Sequence, residues 1–250
     1  MTPVVEFASD EGVARIHLNR PHRLNAVVPE LVDELVRALA RARAERVRAV
    51  VLAGNGRAFC SGHDLKAETP VLDARASRER LDRIQEVTRE IRRAPFPVIA
   101  AVHGYALGAG CEFALGCDLV VAAENARFGF PEVGVGLSVT GGISRLLTAA
   151  VGALKAKELV LLGEHFDAAE ASRLGLVARV VPDGAHETAA LELAAGLAAK
   201  PPYALALAKH SIDRGVDGTV EDAFAREVAD AQLTEYAGEA DRAQDEWRAR

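Results

Sequence analysis

The feature that most constrains this chain is an alternation of short apolar runs with stretches that are apolar at helical spacing, without an internal repeat. Val98 to Val102 is such a run. It leads through Gly104, Gly108 and Gly110 into the apolar stretch Cys111 to Leu115, and Leu119 to Ala123 returns as a strand. Upstream, Leu31, Leu35 and Leu39 with Val32 and Val36 mark a helix after a loop from Pro21 to Pro29, and Val47 to Ala53 reads as a buried strand. Strands alternating with helices predict an α/β fold with a parallel or mixed sheet. Val4 to Ser9 and Val13 to Leu18, split by Asp10-Glu11-Gly12, predict a hairpin at one edge.

After the Gly54-Asn55-Gly56 turn and the segment Phe59 to Asp64, a polar stretch through about Ser77 has no period and is expected to be a mobile loop. Leu81, Ile84, Thr88 and Ile91 then place a helix before Pro95 and Pro97. From Thr140 the pattern is mainly helical: Ile143 to Ala150, Ala153 to Leu162, Ala168 to Leu174, a strand over Val177 to Val181, and three helices between Gly184 and Arg250. Thr219 and Asp222 are spaced to cap the last of these.

Half of the 250 residues are hydrophobic, enough for one main domain with a small appendage, here divided as 1–195 and 196–250. The net charge of -6 speaks against a nucleic-acid partner, although Arg20, His22 and Arg23 could meet the phosphates of a small anion. Three cysteines at spacings that match no zinc pattern, with no secretory or membrane-spanning run, predict a reducing cytoplasm and no membrane association. The seven histidines are scattered without a metal-ligand spacing, so no metal is expected.

Two carboxylates stand where charge is usually avoided: Glu112 inside Cys111 to Leu115, and Glu132 after Phe128-Gly129-Phe130-Pro131. A wet helix face for Glu112 and a solvated loop for Glu132 are the plain alternatives. Two glycine turns, Ser61-Gly62-His63-Asp64 and Gly108-Ala109-Gly110, can each present a free backbone N–H, and a pair of such donors forms an oxyanion hole. In this reading His63 donates through its amide and not its ring. The spacing of Gly104, Gly108 and Gly110 does not match G-x-G-x-x-G, which argues against a dinucleotide site.

Four segments, taken in order, resemble the crotonase superfamily of enoyl-CoA hydratases and isomerases. They are Leu18 to Ala26, Phe59 to Lys66, Ala101 to Glu112 and Ala126 to Gly134. The resemblance implies an α/β fold of the crotonase-like (ClpP/crotonase) kind, a superhelix of ββα units over 1–195. A C-terminal helical region over 196–250 would make trimer contacts, giving a homotrimer or a hexamer of two trimers. It also implies an acyl-CoA thioester substrate, with coenzyme A part of the substrate and no further cofactor. Glu112 and Glu132 would be the catalytic acids, and the His63 and Ala109 amides the oxyanion hole. Arg23, Ala26, Ser61, Gly62, Asp64, Leu65, Lys66 and Gly108 would line the coenzyme A and substrate path. Acids at both the Glu112 and Glu132 positions resemble the hydratase arrangement, in which the two should titrate as a coupled pair.

Several departures stand out. Val135 to Arg145 is one residue shorter than in typical hydratases and lacks their proline, Ala109 stands where glycine is common, and the chain ends at Arg250 without an aromatic and basic tail. These leave the acyl pocket and the adenine contacts open. An isomerase using Glu132 alone, a thioester hydrolase, a decarboxylating relative and a non-catalytic acyl-CoA-binding scaffold remain alternatives. No G-x-S-x-G elbow supports nucleophilic hydrolysis by Ser61 or Cys60.

Overall fold

The computed structural model describes residues 2–67 and 73–248, apart from the side chains of Arg242, Glu246 and Trp247. The predicted hairpin is present as β1 (Val5–Asp10) and β2 (Val13–Leu18), paired antiparallel around a two-residue turn in which Glu11 and Gly12 both have positive φ. Beyond β2 the main sheet is parallel, through β3 (Ala49–Gly54), β4 (Val98–Val102), β6 (Leu119–Ala123) and β9 (Arg179–Val181). β3 and β4 are buried along their whole length because both faces are covered. One face packs on the large core with α1 (Pro29–Ala44), α2 (Ala74–Arg93) and α3 (Ala109–Gly116). The other face, formed by Ala49, Val51, Ala53, Ile99, Ala101 and Val121, is closed by Ala190 and Ala194 of α6 (His186–Ala198).

A second, smaller sheet is what the sequence pattern did not show. β5 (Tyr105–Leu107) lies inside the glycine-rich segment expected only to open a helix; β7 (Arg127–Gly129) pairs with it in parallel, and β8 (Phe166–Asp167) pairs antiparallel with β7. Single bridges Cys60 to Ala106 and Val27 to His63 extend the layer. Each turn of the chain therefore crosses the large sheet, touches the small one and returns through a helix, which is the ββα superhelix. Strands this short bury one or two residues each and carry no period that could announce them.

The stretch expected to stay mobile through Ser77 is a correction in part: Asp73 accepts the Ala76 N–H at 2.8 Å and starts α2 at Ala74, while residues 68–72 lie outside the described residues. The helices expected over 143–150 and 153–162 form one element, α4 (Ile143–Leu162), broken at Gly152. α5 (Ala168–Arg173) follows. Among the described residues the C-terminal stretch holds four helices rather than three: α6, α7 (Pro202–Gly215), α8 (Val220–Tyr236) and α9 (Glu239–Arg248). Thr219 and Asp222 form the expected capping box, but on α8, the last helix but one. α6 runs through residue 195 and belongs with the sheet, whereas α7 and α8 have no buried residue. α7 is tied down instead by Lys209, whose Nζ donates to Ile91 O at 2.7 Å and Phe96 O at 3.0 Å and lies 2.8 Å from Asp118.

α3 meets the small sheet at Gly110, where an added Cβ would lie 2.2 Å from the Cys60 carbonyl oxygen and 2.7 Å from Cys60 Cβ. Neither atom is the end of a flexible side chain, so Gly110→Ala is expected to cost about 2 to 3 kcal/mol. Urea denaturation should show a lowered midpoint with an unchanged slope.

Candidate active site

The small sheet sets the site through its register. Cys60 N donates to Tyr105 O and Leu107 N to Cys60 O, at 2.9 and 3.0 Å, so residues 60 and 106 lie side by side in parallel. Two residues on, Gly62 and Gly108 are neighbours: a Cβ on Gly108 would sit 3.7 Å from Gly62 Cα, and one on Gly62 would sit 2.7 Å from Leu107 O. Both glycines have positive φ, 88° and 52°. His63 and Ala109 are the residues that follow these two glycines in the chain. Ala109 opens α3, whose first-turn amides have no intrahelical acceptor. Among the described residues, neither the His63 nor the Ala109 N–H donates to a backbone carbonyl outside the helices and strands.

The same sheet delivers Glu132. Leu107 pairs with Gly129, and Gly108 N–H donates to Gly129 O at 2.9 Å. A short 3-10 turn, Pro131–Val135, then folds Glu132 back until its Oε1 is 3.0 Å from where a Gly108 Cβ would be. Its other oxygen, Oε2, is buried and has no partner among the described residues. Glu112, one turn into α3, is 1% exposed, and its two oxygens are occupied: Oε1 accepts the Thr140 N–H at 2.5 Å and Oε2 the Thr140 hydroxyl at 2.6 Å. Neither acid takes the solvated position offered as its plain alternative.

Burial raises both carboxyls. For Glu132 burial acts first and the charge of nearby Glu112 adds to it, so that the group is pushed up to about 7 against a backbone hydrogen bond within the residue. Glu112 is raised by burial too, but the two Thr140 donors oppose the rise. The acids are thus unlike: one is held by two donors, the other has a free oxygen and a proton near neutrality.

The remaining expected residues surround this centre unequally. Ser61 is half-buried, with its amide bonded to Leu24 O at 3.0 Å, and Leu65, 67% exposed, stands beside exposed Lys66 and Arg23. Ala26 is buried. Asp64 points inward: it lies 3.1 Å from Arg20 and accepts the Lys66 N–H at 3.1 Å. Burial opposes its charge, but the Arg20 and Lys66 donors outweigh this and hold its carboxyl below the usual range. Arg20 also donates to Ala26 O, so its charge is spent inside the loop and is not free for a phosphate. The His63 ring lies 3.3 Å from Arg80 on α2, and burial and then that cation lower its pKa.

Sequence reasoning missed Asn25, Arg20 as a structural group, and Thr140. Asn25 is fully buried at φ 55°, accepts the Arg20 N–H and donates to Asn55 O and Ala58 O, fixing the loop before the His63 turn. A polar residue in a run that looks like an ordinary loop gives no signal of this. Among the described residues no group of three His, Cys, Asp or Glu could hold a metal, and no helix is long and apolar enough to cross a membrane.

The family model described as enoyl-CoA hydratase/isomerase matches residues 8–246. The chain belongs to that family. It is 38% identical to the 2,3-dehydroadipyl-CoA hydratase of Escherichia coli over 87% of this chain and 84% of that one. The crystal structure of an enoyl-CoA hydratase from Bacillus anthracis superposes with a TM-score of 0.92 at 30% identity, covering 98% of this chain and 96% of the other. A Thermobifida fusca family protein solved in complex with CoA gives 0.87 at 33%, covering 94% and 95%. These matches establish the crotonase-type fold and the family.

Because Glu132 binds its proton more tightly folded than unfolded, the stability that proton confers is complete below about pH 4.3 and is lost as pH rises through about 7. Glu132→Gln removes the charge that appears in that window. It is expected to stabilise the fold at pH 8 by about 1 to 2 kcal/mol, less than a sealed interior would give because solvent reaches part of the site. Near pH 4.5 it should have little effect. Urea denaturation at the two pH values measures the difference.

Proposed function

We propose that the protein is an enoyl-CoA hydratase in which Glu112 and Glu132 add water across the 2,3-double bond of a 2-enoyl-CoA thioester. The observation that carries this is the unlike pair of buried carboxyls next to two unengaged amides. As the water oxygen bonds to C3, Glu112 takes the proton that water loses, and the π electrons move to the thioester oxygen, giving an enolate. The His63 and Ala109 N–H groups are the donors proposed to meet that oxygen, and donors so placed stabilise the charge as it develops. Glu132, protonated near neutrality, then gives its proton through Oε2 to C2. Glu112 ends protonated and Glu132 ionised, and return of one proton between them resets the site.

Membership of the family and the CoA held by the Thermobifida relative support an acyl-CoA substrate. Exposed Arg23, Leu65 and Lys66, on the rim beside the His63 turn, are the side chains proposed to meet its coenzyme A portion. Gly62 and Gly108 serve by bringing backbone close, while Ser61, Ala26 and Asp64 shape the loop. No cofactor besides that coenzyme A enters the reaction. Assembly into a trimer is proposed for the C-terminal helices, supported by the exposed apolar side chains Ile212, Val220, Phe224, Val228 and Tyr236. Sedimentation analysis should then give three or six times 26.5 kDa.

With crotonyl-CoA, the ultraviolet absorbance of the conjugated thioester should fall. Glu112→Gln and Glu132→Gln should each slow this by about 100-fold or more, the usual contribution of a positioned acid or base. Near-wild-type turnover in either variant removes that residue from the mechanism. If crotonyl-CoA is untouched, a 3-enoyl-CoA gains conjugation and only Glu132 is needed, the protein is an isomerase.

A further inference from the structure

Thr140 belongs to none of the motifs that carry the family resemblance, yet among the described residues it alone hydrogen-bonds the Glu112 side chain. It does so with main chain and side chain together. A carboxylate only accepts, so the hydroxyl must spend its proton on Oε2 while the amide is spent on Oε1. Two donors from one residue, at 2.5 and 2.6 Å, fix the carboxylate plane and leave each oxygen one further acceptor direction.

The chain can come this close because Gly141, with φ 59°, passes directly over Glu112: a Cβ there would be 3.1 Å from Glu112 Cβ and 3.3 Å from Oε2. The same loop carries Glu132 at its other end. Leu137 N–H donates to Glu132 O at 2.8 Å and Ile143 N–H to Thr140 O at 3.0 Å, so one connected turn sets both acids.

We propose that Thr140 is a positioning residue for hydration: by holding both oxygens of Glu112 it keeps that carboxylate ionised and aimed at the water, so that Glu132 is the acid that carries the proton. This rests on the hydratase reading. The titratable groups facing Glu112 are Glu132 from the 3-10 turn, Cys111 from α3 and Cys60 from the segment beside it. Burial pushes the Cys60 thiol up to about 12 and Cys111 higher, so neither ionises near neutrality. α2 presents uncharged Thr88, and the buried residues of α4 are apolar. Only Glu132 therefore shares the titration.

Loss of the hydroxyl removes a group that lowers the Glu112 pKa, so Glu112 should hold its proton to higher pH. A base must be ionised to act, and the acid limb of the rate profile must move up.

The test compares wild type, Thr140→Val and Thr140→Ser in crotonyl-CoA hydration, with the Glu112 carboxyl followed by carbon-13 NMR and assigned by its absence from Glu112→Gln. Thr140→Val keeps the amide and the shape. It is expected to lower kcat about 10-fold to 100-fold with KM changed less than about 3-fold, and to raise both the acid limb and the Glu112 midpoint by about one pH unit, losses of the size a charge-assisted hydrogen bond gives. Thr140→Ser should restore both. An unmoved midpoint in Thr140→Val, or a serine variant as impaired as the valine, overturns the inference even in an active enzyme. A wild type that does not hydrate overturns the hydratase reading and this one with it, and shows itself before any variant is compared.

Discussion

Two main-chain segments pass each other at Gly62 and Gly108 with no side chain between them, and the rest of the site depends on that approach. It follows from the parallel pairing of Cys60 with Ala106, which sets the two glycine turns that precede His63 and Ala109 in register. A side chain at either glycine would meet backbone or the Glu132 carboxyl and would require a left-handed conformation as well. The large sheet supplies a frame in which β3 and β4 are buried on both faces. The small sheet, though it is made of strands of two or three residues and single bridges, sets the distances that matter for chemistry.

Such short strands cannot hold a register by their own hydrogen bonds, so polar groups buried in the adjoining loops must do so. Asn25 joins the Arg20 amide to the carbonyls of Asn55 and Ala58, and Arg20 joins Ala26 O to Asp64. Asn25, Arg20 and Asp64 thus each have partners in this network, which is the condition under which burying them is tolerated. The consequence reaches the site: Val27 N–H donates to Gly62 O and Asp64 N–H to Val27 O, on either side of the His63 amide. Asp64, expected among the substrate contacts, acts from inside the loop.

β2, β3, β4, β6 and α1 could be read from the sequence because their burial is periodic or nearly continuous over five or more residues. β5, β7 and β8 could not, since Tyr105-Ala106-Leu107 looks like any part of a glycine-rich turn until its neighbours are in place. α2 begins earlier than its apolar spacing suggests because its first turn is held by the Asp73 cap and by solvent-facing charges, not by buried side chains. The two glutamates were visible as charges in apolar surroundings. Thr140 was not, because a threonine before two glycines carries no local sign of what lies 28 residues away in sequence.

Burying two carboxylates beside each other is unfavourable unless their environments differ, and here the difference is built from the same loop. Thr140 gives Glu112 two donors, which favour its ionised form, while Glu132 is left with an unpartnered oxygen, burial, and the charge of Glu112 nearby. Each of these pushes the shared proton toward Glu132. The repulsion between the acids thus becomes a means of assigning roles: the more firmly Glu112 is held as an anion, the more readily Glu132 keeps a proton at neutral pH. Groups that titrate at separated pH values can serve as base and acid at once, and equal carboxyls in the same position could not. The stability lost when Glu132 ionises is therefore a cost of the arrangement that separates the two functions, not a flaw in the packing around it.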